Sequence, residues 1–154
     1  MAHEADHTTD HQPTGPSHGH GHGHAHGHSH GHHDEPDVPP LEELEHVGTM
    51  DDPDGAAETT SECGDVIGVQ VRLRGNVLET VRVQPTGCAY TILCAEAVGR
   101  LCQGRTLDEV LSVEPQDVAR LLGNLPDDHL HCARQALSVL GEALVRALAR
   151  PRNP

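Results

Sequence analysis

Hydrophobic and polar positions fall into a regular rhythm only after residue 65. Val69, Val71 and Leu73 alternate with Gln70, Arg72 and Arg74, the period of two expected of a strand with one buried face. Gly75-Asn76 predicts a two-residue turn with positive backbone angles, and Val77–Gln84 returns with Val81 and Val83 facing in. Pro85-Thr86-Gly87 ends this hairpin and delivers Cys88 to the start of a helix over about 89–103, with Ile92, Leu93, Ala97 and Leu101 on its apolar face and Gly104 as its stop. Thr106 and Glu109 form a capping-box pattern that opens a short helix through Val113, and Pro115 starts another over about 115–122. The last helix runs from about His131 to Arg150, with a buried stripe of Ala133, Leu137, Leu140, Leu144 and Ala147, and Pro151 ends it. Ahead of Val66 the signal is weak: Leu41–Val47 reads as a short helical turn, followed by a Gly/Asp/Thr-rich loop reaching Cys63. No strand falls between helices, so the fold class is α+β: a small antiparallel sheet (hairpin about 66–84) backed by C-terminal helices.

Charge divides the chain at the same place. Of the 154 residues, 1–65 hold fifteen Asp/Glu and no Lys or Arg, whereas 66–154 hold nine Asp/Glu and all ten Arg, so the formal charge of −14 belongs to the front half. Residues 1–40 are low in complexity, with Gly alternating with His and a closing Pro36, Pro39 and Pro40. A segment so acidic and so poor in large apolar side chains cannot offset its chain entropy, so 1–40 reads as a disordered tail ahead of one small domain at 41–150. Tyr90 is the single aromatic, so Leu, Val, Ile and Ala must build the core. The acidic balance, without a basic stripe, excludes general nucleic-acid binding. No stretch approaches the roughly 20 apolar residues of a membrane span, and the polar start is no secretory signal. Five cysteines, an odd number, suit reduced thiols and a cytoplasmic protein better than a disulfide framework.

Three of those cysteines have chemically useful neighbours: Cys63-Gly64-Asp65, Gly87-Cys88 and His131-Cys132. They lie 25 and 44 residues apart, so only a fold can gather them. All three fall at predicted element ends, where side chains can project into a shared exposed site. Cys88 and Cys132 also fall at helix N-termini, whose partial positive charge favours thiolate. Three thiolates with a carboxylate and an imidazole make a soft donor set suited to iron-sulfur clusters or zinc. Cys94 and Cys102 lie inside the predicted helix, Cys94 about 120° around the axis from Cys88, and read as small buried residues.

Cys63-Gly64-Asp65-Val66, Thr86-Gly87-Cys88-Ala89, Gln103-Gly104-Arg105-Thr106-Leu107-Asp108-Glu109 and Leu130-His131-Cys132 resemble the NifU/IscU family of iron-sulfur cluster assembly scaffolds, over about His46 to Leu148. The resemblance implies an α+β fold and cluster ligands at Cys63, Cys88 and Cys132, with Asp65 and His131 beside them. It implies a labile iron-sulfur cluster, expected as [2Fe-2S], built from Fe2+ and from sulfur that a cysteine desulfurase delivers to Cys132. An electron donor such as a ferredoxin and recipient apo iron-sulfur proteins are the further partners implied. Such a protein is a scaffold and not an enzyme. Zn2+ would also fit the same donors.

The chain departs from the family pattern in places. His129 stands where the family usually has Lys, within Leu125-Pro126-Asp127-Asp128-His129. The two acids there argue against service by a dedicated Hsp70-type chaperone, and His129 offers an alternative ligand. Glu62 adds negative charge where the family commonly has a small residue. A zinc-bound sulfur-relay partner of a desulfurase, as in the SufU branch, is the competing reading. That branch carries an insertion between its second and third ligand cysteines, for which the 44-residue interval here leaves no room.

The tail adds a second metal-binding signal. His18, His20, His22, His24, His26, His28, His30, His32 and His33 offer imidazoles to Ni2+ or Zn2+ without fixed geometry, so they should discriminate little. A nickel or zinc metallochaperone working through this tail is the third reading.

Overall fold

The computed structural model describes residues 35–123 and 125–151. The histidines at 18–33 therefore lie outside the described residues. Among the described residues three strands, β1 (Gly55–Thr60), β2 (Val66–Arg74) and β3 (Val77–Thr86), form one antiparallel sheet in the order β1-β2-β3. Four helices follow: α1 (Ala89–Cys102), α2 (Leu107–Leu111), α3 (Pro115–Leu122) and α4 (Leu130–Ala149), with single 3-10 turns at Leu41–Glu43 and Asp127–His129. The α+β class read from the sequence is the observed one.

The hairpin forms as its pattern requires. Val69 pairs with Val83 and Val71 with Val81, and all four are at most 1% exposed. Of the turn residues only Gly75 takes a positive φ, at +60°; Asn76 does not. Arg72 pairs with Thr80 but Leu73 with Leu78, which leaves Glu79 unpaired as a bulge. The bulge keeps Leu78, Val81 and Val83 on the same buried face despite their uneven spacing. The return strand reaches Thr86, two residues beyond the expected end.

Strand β1 corrects the sequence reading, which placed a loop there. Gly-Ala-Ala-Glu-Thr-Thr is poor in large β-branched residues, so it carries little strand signal. Its small residues are instead a packing requirement. A Cβ on Gly55 would collide with the Ala143 carbonyl and with Ala147 on α4, so the strand lies against the helix backbone. Arg146 of α4 donates to the Ala56 carbonyl at 2.8 Å.

The segment at Leu41–Val47 is a 3-10 turn followed by a bend that leads into an isolated bridge at Val47, shorter as a helix than expected. Val47 bridges to Val83, with Val83 N–H donating to His46 O and Gly48 N–H to Val83 O. This covers the outer edge of β3 and removes free strand-edge groups. Glu96 fastens the segment from inside. Its carboxylate accepts from the backbone N–H of Glu45 (3.0 Å) and of His46 (2.9 Å), and lies 3.1 Å from His46 Nδ1.

Helix α2 opens with the predicted capping box, in which the Thr106 and Glu109 side chains each serve the other's backbone N–H. On α1 the buried face differs from the expected one. Cys94, Ala95, Val98 and Cys102 are fully buried with Ala97, while Ile92, Leu93 and Leu101 are only partly covered. The helix packs against β3 and α4, and small to mid-sized side chains take its inner positions. On α4 the stripe is Cys132, Ala133, Ala136, Val139, Leu140, Ala143, Leu144 and Ala147, with Leu137 at its margin. Among the described residues no helix is long and apolar enough to cross a membrane.

Candidate metal and sulfur site

Three chain segments converge at one end of the sheet. The turn before β2 carries Cys63 and Asp65. The junction of β3 and α1 carries Cys88, and the first turn of α4 carries His131 and Cys132. Each is held locally. Ser61 N–H donates to Asp65 O (2.8 Å) and Gly64 N–H to Ser61 O (2.9 Å), closing a tight turn with Gly64 at φ +87°. Ser61 Oγ accepts from Asp65 N–H at 3.1 Å and lies 3.6 Å from Cys63 Sγ. Gly87, at φ +146°, leaves space for Asp65: a Cβ there would overlap its carboxylate.

Thr91, which the sequence reading did not single out, joins these parts. Its hydroxyl donates to Asp65 Oδ2 at 2.7 Å and lies 3.4 Å from Cys88 Sγ and 3.7 Å from Cys132 Sγ. The signal that could have found it is a polar residue three positions after Cys88, hence above it on the same side of α1. Thr91 is fully buried. Its hydrogen bond holds the Asp65 carboxyl below the usual carboxylate range. Burial opposes that effect, and the Cys88 side chain and backbone and the nearby His131 assist it.

The cysteines differ sharply in access. Cys63 is exposed, Cys88 half-buried, and Cys132 only 1% exposed. The expectation of exposed sulfurs at all three element ends, with thiolate favoured by helix N-termini at Cys88 and Cys132, therefore fails at Cys132. Burial pushes its thiol up to about 11; the Thr91 hydrogen bond lowers it, and the neighbouring Cys88 and Asp65 raise it. Desolvation is the largest of these effects because α4 turns this position toward the core. Cys94 and Cys102 are fully buried core residues, their thiols pushed up to about 12 and about 11 by burial.

Among the described residues, one cluster of donors that includes cysteine is compact. Cys88, His129 and Cys132 each place a donor atom within 4.8 Å of the other two. Cys63, Asp65 and His131 are not members of that group. His131 stands next to it, with Nε2 3.5 Å from Cys132 Sγ and Nδ1 2.9 Å from the Asp128 carbonyl. A cavity of about 420 Å³ opens between the Thr59–Cys63 segment and His131 and Gln135 of α4. A larger hollow, about 580 Å³, lies beside Leu101, Arg105, Glu109 and Asp117, but no thiol or imidazole lines it. The smaller space has Cys63 and His131 in its wall.

A small antiparallel sheet backed by helices, with sulfur, carboxylate and imidazole donors at the element ends, defines an α+β protein equipped for thiophilic metals. The chain belongs to the family of the NifU-like N terminal domain, whose profile matches residues 41–153. It is 31% identical over 101 residues to the iron-sulfur cluster assembly scaffold protein IscU 1 of Archaeoglobus fulgidus, covering 65% of this chain and 66% of that one. It is 32% identical over 82 residues to the iron-sulfur cluster assembly protein IscU of Plasmodium falciparum, covering 53% of this chain and 50% of that one. The chain thus spans between half and two-thirds of the length of these relatives. In fold it is similar to the N-terminal NifU-like protein of Brucella abortus (TM-score 0.57, 15% identity, 72% of this chain and 90% of that one). It is also similar to a candidate iron-sulfur cluster assembly scaffold for the SUF system from Fervidobacterium islandicum (TM-score 0.54, 16% identity, 68% and 90%).

Proposed function

We propose that this protein is a scaffold on which an iron-sulfur cluster is assembled and from which it is passed on. The observation that carries the reading is the meeting of Cys88 and Cys132 with an imidazole, beside an Asp65 held through Thr91, in a chain of the NifU-like N-terminal family. Cys63, Cys88 and Cys132 supply thiolates, and Asp65 and His131 a harder donor each. Three sulfurs with one oxygen or nitrogen grip a cluster less completely than four cysteines do, which suits a cargo that must leave. Exposed Cys63 gives an acceptor protein a place to begin ligand exchange.

Cys132 accepts sulfur as a thiolate. It attacks the outer sulfur of a desulfurase persulfide, forming a new persulfide and releasing the donor thiolate. Its burial and its raised pKa mean that it must first be uncovered and deprotonated. Ferrous iron in the pocket favours the second step, since metal coordination expels the thiol proton. The partners of this reading are a cysteine desulfurase, an electron donor such as a ferredoxin, and apo iron-sulfur proteins. The scaffold itself catalyses no reaction.

The test is anaerobic incubation of the full chain with ferrous iron, cysteine and a cysteine desulfurase, followed by visible spectroscopy and iron and sulfide analysis. A sulfide-to-iron charge-transfer band, lost in Cys63→Ala, Cys88→Ala and Cys132→Ala, is the expected result. A colourless protein that retains zinc and accepts persulfide would establish the sulfur-relay reading instead.

A further inference from the structure

We propose that His129 is a metal ligand in this chain, forming with Cys88 and Cys132 a three-donor seat for a single divalent ion of the Zn2+ or Fe2+ kind, assembled without Cys63. The inference deepens the reading of the site and rests on it in taking Cys88 and Cys132 as ligands.

Geometry is the first argument. Zn–S bonds of about 2.3 Å and Zn–N bonds of about 2.0 Å at tetrahedral angles place donor atoms roughly 3.5–3.8 Å apart. The three donors here already lie within 4.8 Å of one another, so side-chain adjustments of about 1 Å close the seat. Two thiolates and an imidazole form a donor set that selects zinc and ferrous iron over calcium or magnesium.

His129 is also held for the task and otherwise unemployed. The 3-10 turn Asp127–His129 fixes its backbone, with His129 N–H donating to Pro126 O at 2.9 Å. Its ring packs on Tyr90, centroids 4.1 Å apart and tilted by 30°. Tyr90 lies two residues after Cys88, so the first turn of α1 presents both a thiol and the surface that orients the imidazole. His129 Nδ1 is buried and makes no hydrogen bond, an uncommon state for a buried nitrogen. His131 contrasts with it, since its Nδ1 is engaged by Asp128 O.

Cys63 is the sulfur left over. It is exposed, on a turn built by Ser61, and outside the compact group. One ion can therefore sit on Cys88, His129 and Cys132 while Cys63 stays free for a second iron or for sulfur. Binding displaces a proton from each thiol to solvent. The Lys found at this position in the resembling family carries a proton at neutral pH and offers no lone pair, so the seat is a property of this chain.

The probe is Co2+, titrated anaerobically into the reduced full-length chain. Sulfur-to-cobalt charge transfer reports thiolate ligation, which the His/Gly tail cannot mimic. We expect a tetrahedral cobalt spectrum whose affinity falls at least about tenfold in His129→Ala and similarly in His129→Lys, while Cys63→Ala stays within about threefold of the parent. Unchanged affinity and band intensity in His129→Ala would overturn the inference. So would loss of the band in Cys63→Ala as complete as in Cys88→Ala. A fold-independent check uses the unsubstituted chain: the ring-nitrogen resonance of His129, followed by NMR, shifts on stoichiometric Zn2+ if it ligates and stays in place if it does not. The scaffold reading stands or falls separately, on the sulfide-to-iron band.

Discussion

Thr91 donates a 2.7 Å hydrogen bond to Asp65, linking the first turn of α1 to the chain entering β2. This bond ties the cysteine-bearing turn at Cys63 to the helix that begins after Cys88, and both site sulfurs on the helix side crowd the same hydroxyl. Thr91→Val keeps the shape and removes the donor. Stability should fall by roughly 1–2 kcal/mol, since the bond is to a charged acceptor. The sign with pH follows from the depressed Asp65 carboxyl. Its contribution is present above the ordinary carboxylate value of 3.8 and is lost as pH falls through the lower folded value. Urea unfolding at neutral and acid pH should therefore show the two proteins converging in acid. A constant gap at all pH values would contradict this role.

Glu96 predicts a second acid-sensitive contact. Burial pushes its carboxyl up, yet the His46 side chain, backbone N–H and charge, together with Arg100, outweigh burial and hold it below the ordinary value of 4.5. Stabilisation is thus complete above that value and disappears as pH falls through the folded one. Glu96→Gln retains the size but weakens acceptance from two backbone N–H groups, and should cost about 2–3 kcal/mol. Hydrogen exchange should show the loss first at His46 and Gly48, where the N-terminal segment covers β3.

Gly87→Ala should disturb the metal site more than it disturbs the core. Its φ of +146° disfavours any L side chain, and the added methyl would meet the Asp65 carboxylate. Strain of this kind costs on the order of 1–3 kcal/mol. The expected result is a lower melting temperature together with weakened zinc binding, measured by competition with a chromophoric chelator. Zinc affinity equal to the parent's would show that Asp65 and Cys88 tolerate the shift.

By itself the sequence determined the hairpin, the four helices and the α+β class, because Val69-Val71-Leu73, the Thr106–Glu109 capping box and Pro115 are local signals of period and capping. It also marked the cysteine-bearing element ends, since Cys-Gly-Asp, Gly-Cys and His-Cys interrupt those periods. Tertiary structure decided the rest. Strand β1 exists because Gly55 and its small neighbours fit against α4, a match no local propensity encodes. The inner face of α1 went to Cys94, Ala95 and Val98 because packing against β3 and α4 selects for size as well as hydrophobicity. Cys132 is buried and its thiol raised because α4 points it inward, a direction that its place at a helix start does not reveal. Thr91 and His129 meet the two sulfurs only when α1 and α4 pack together, bringing positions 41 residues apart in the chain to one hydroxyl. Local interactions set which elements form; which donors share a site is a long-range property of how those elements pack.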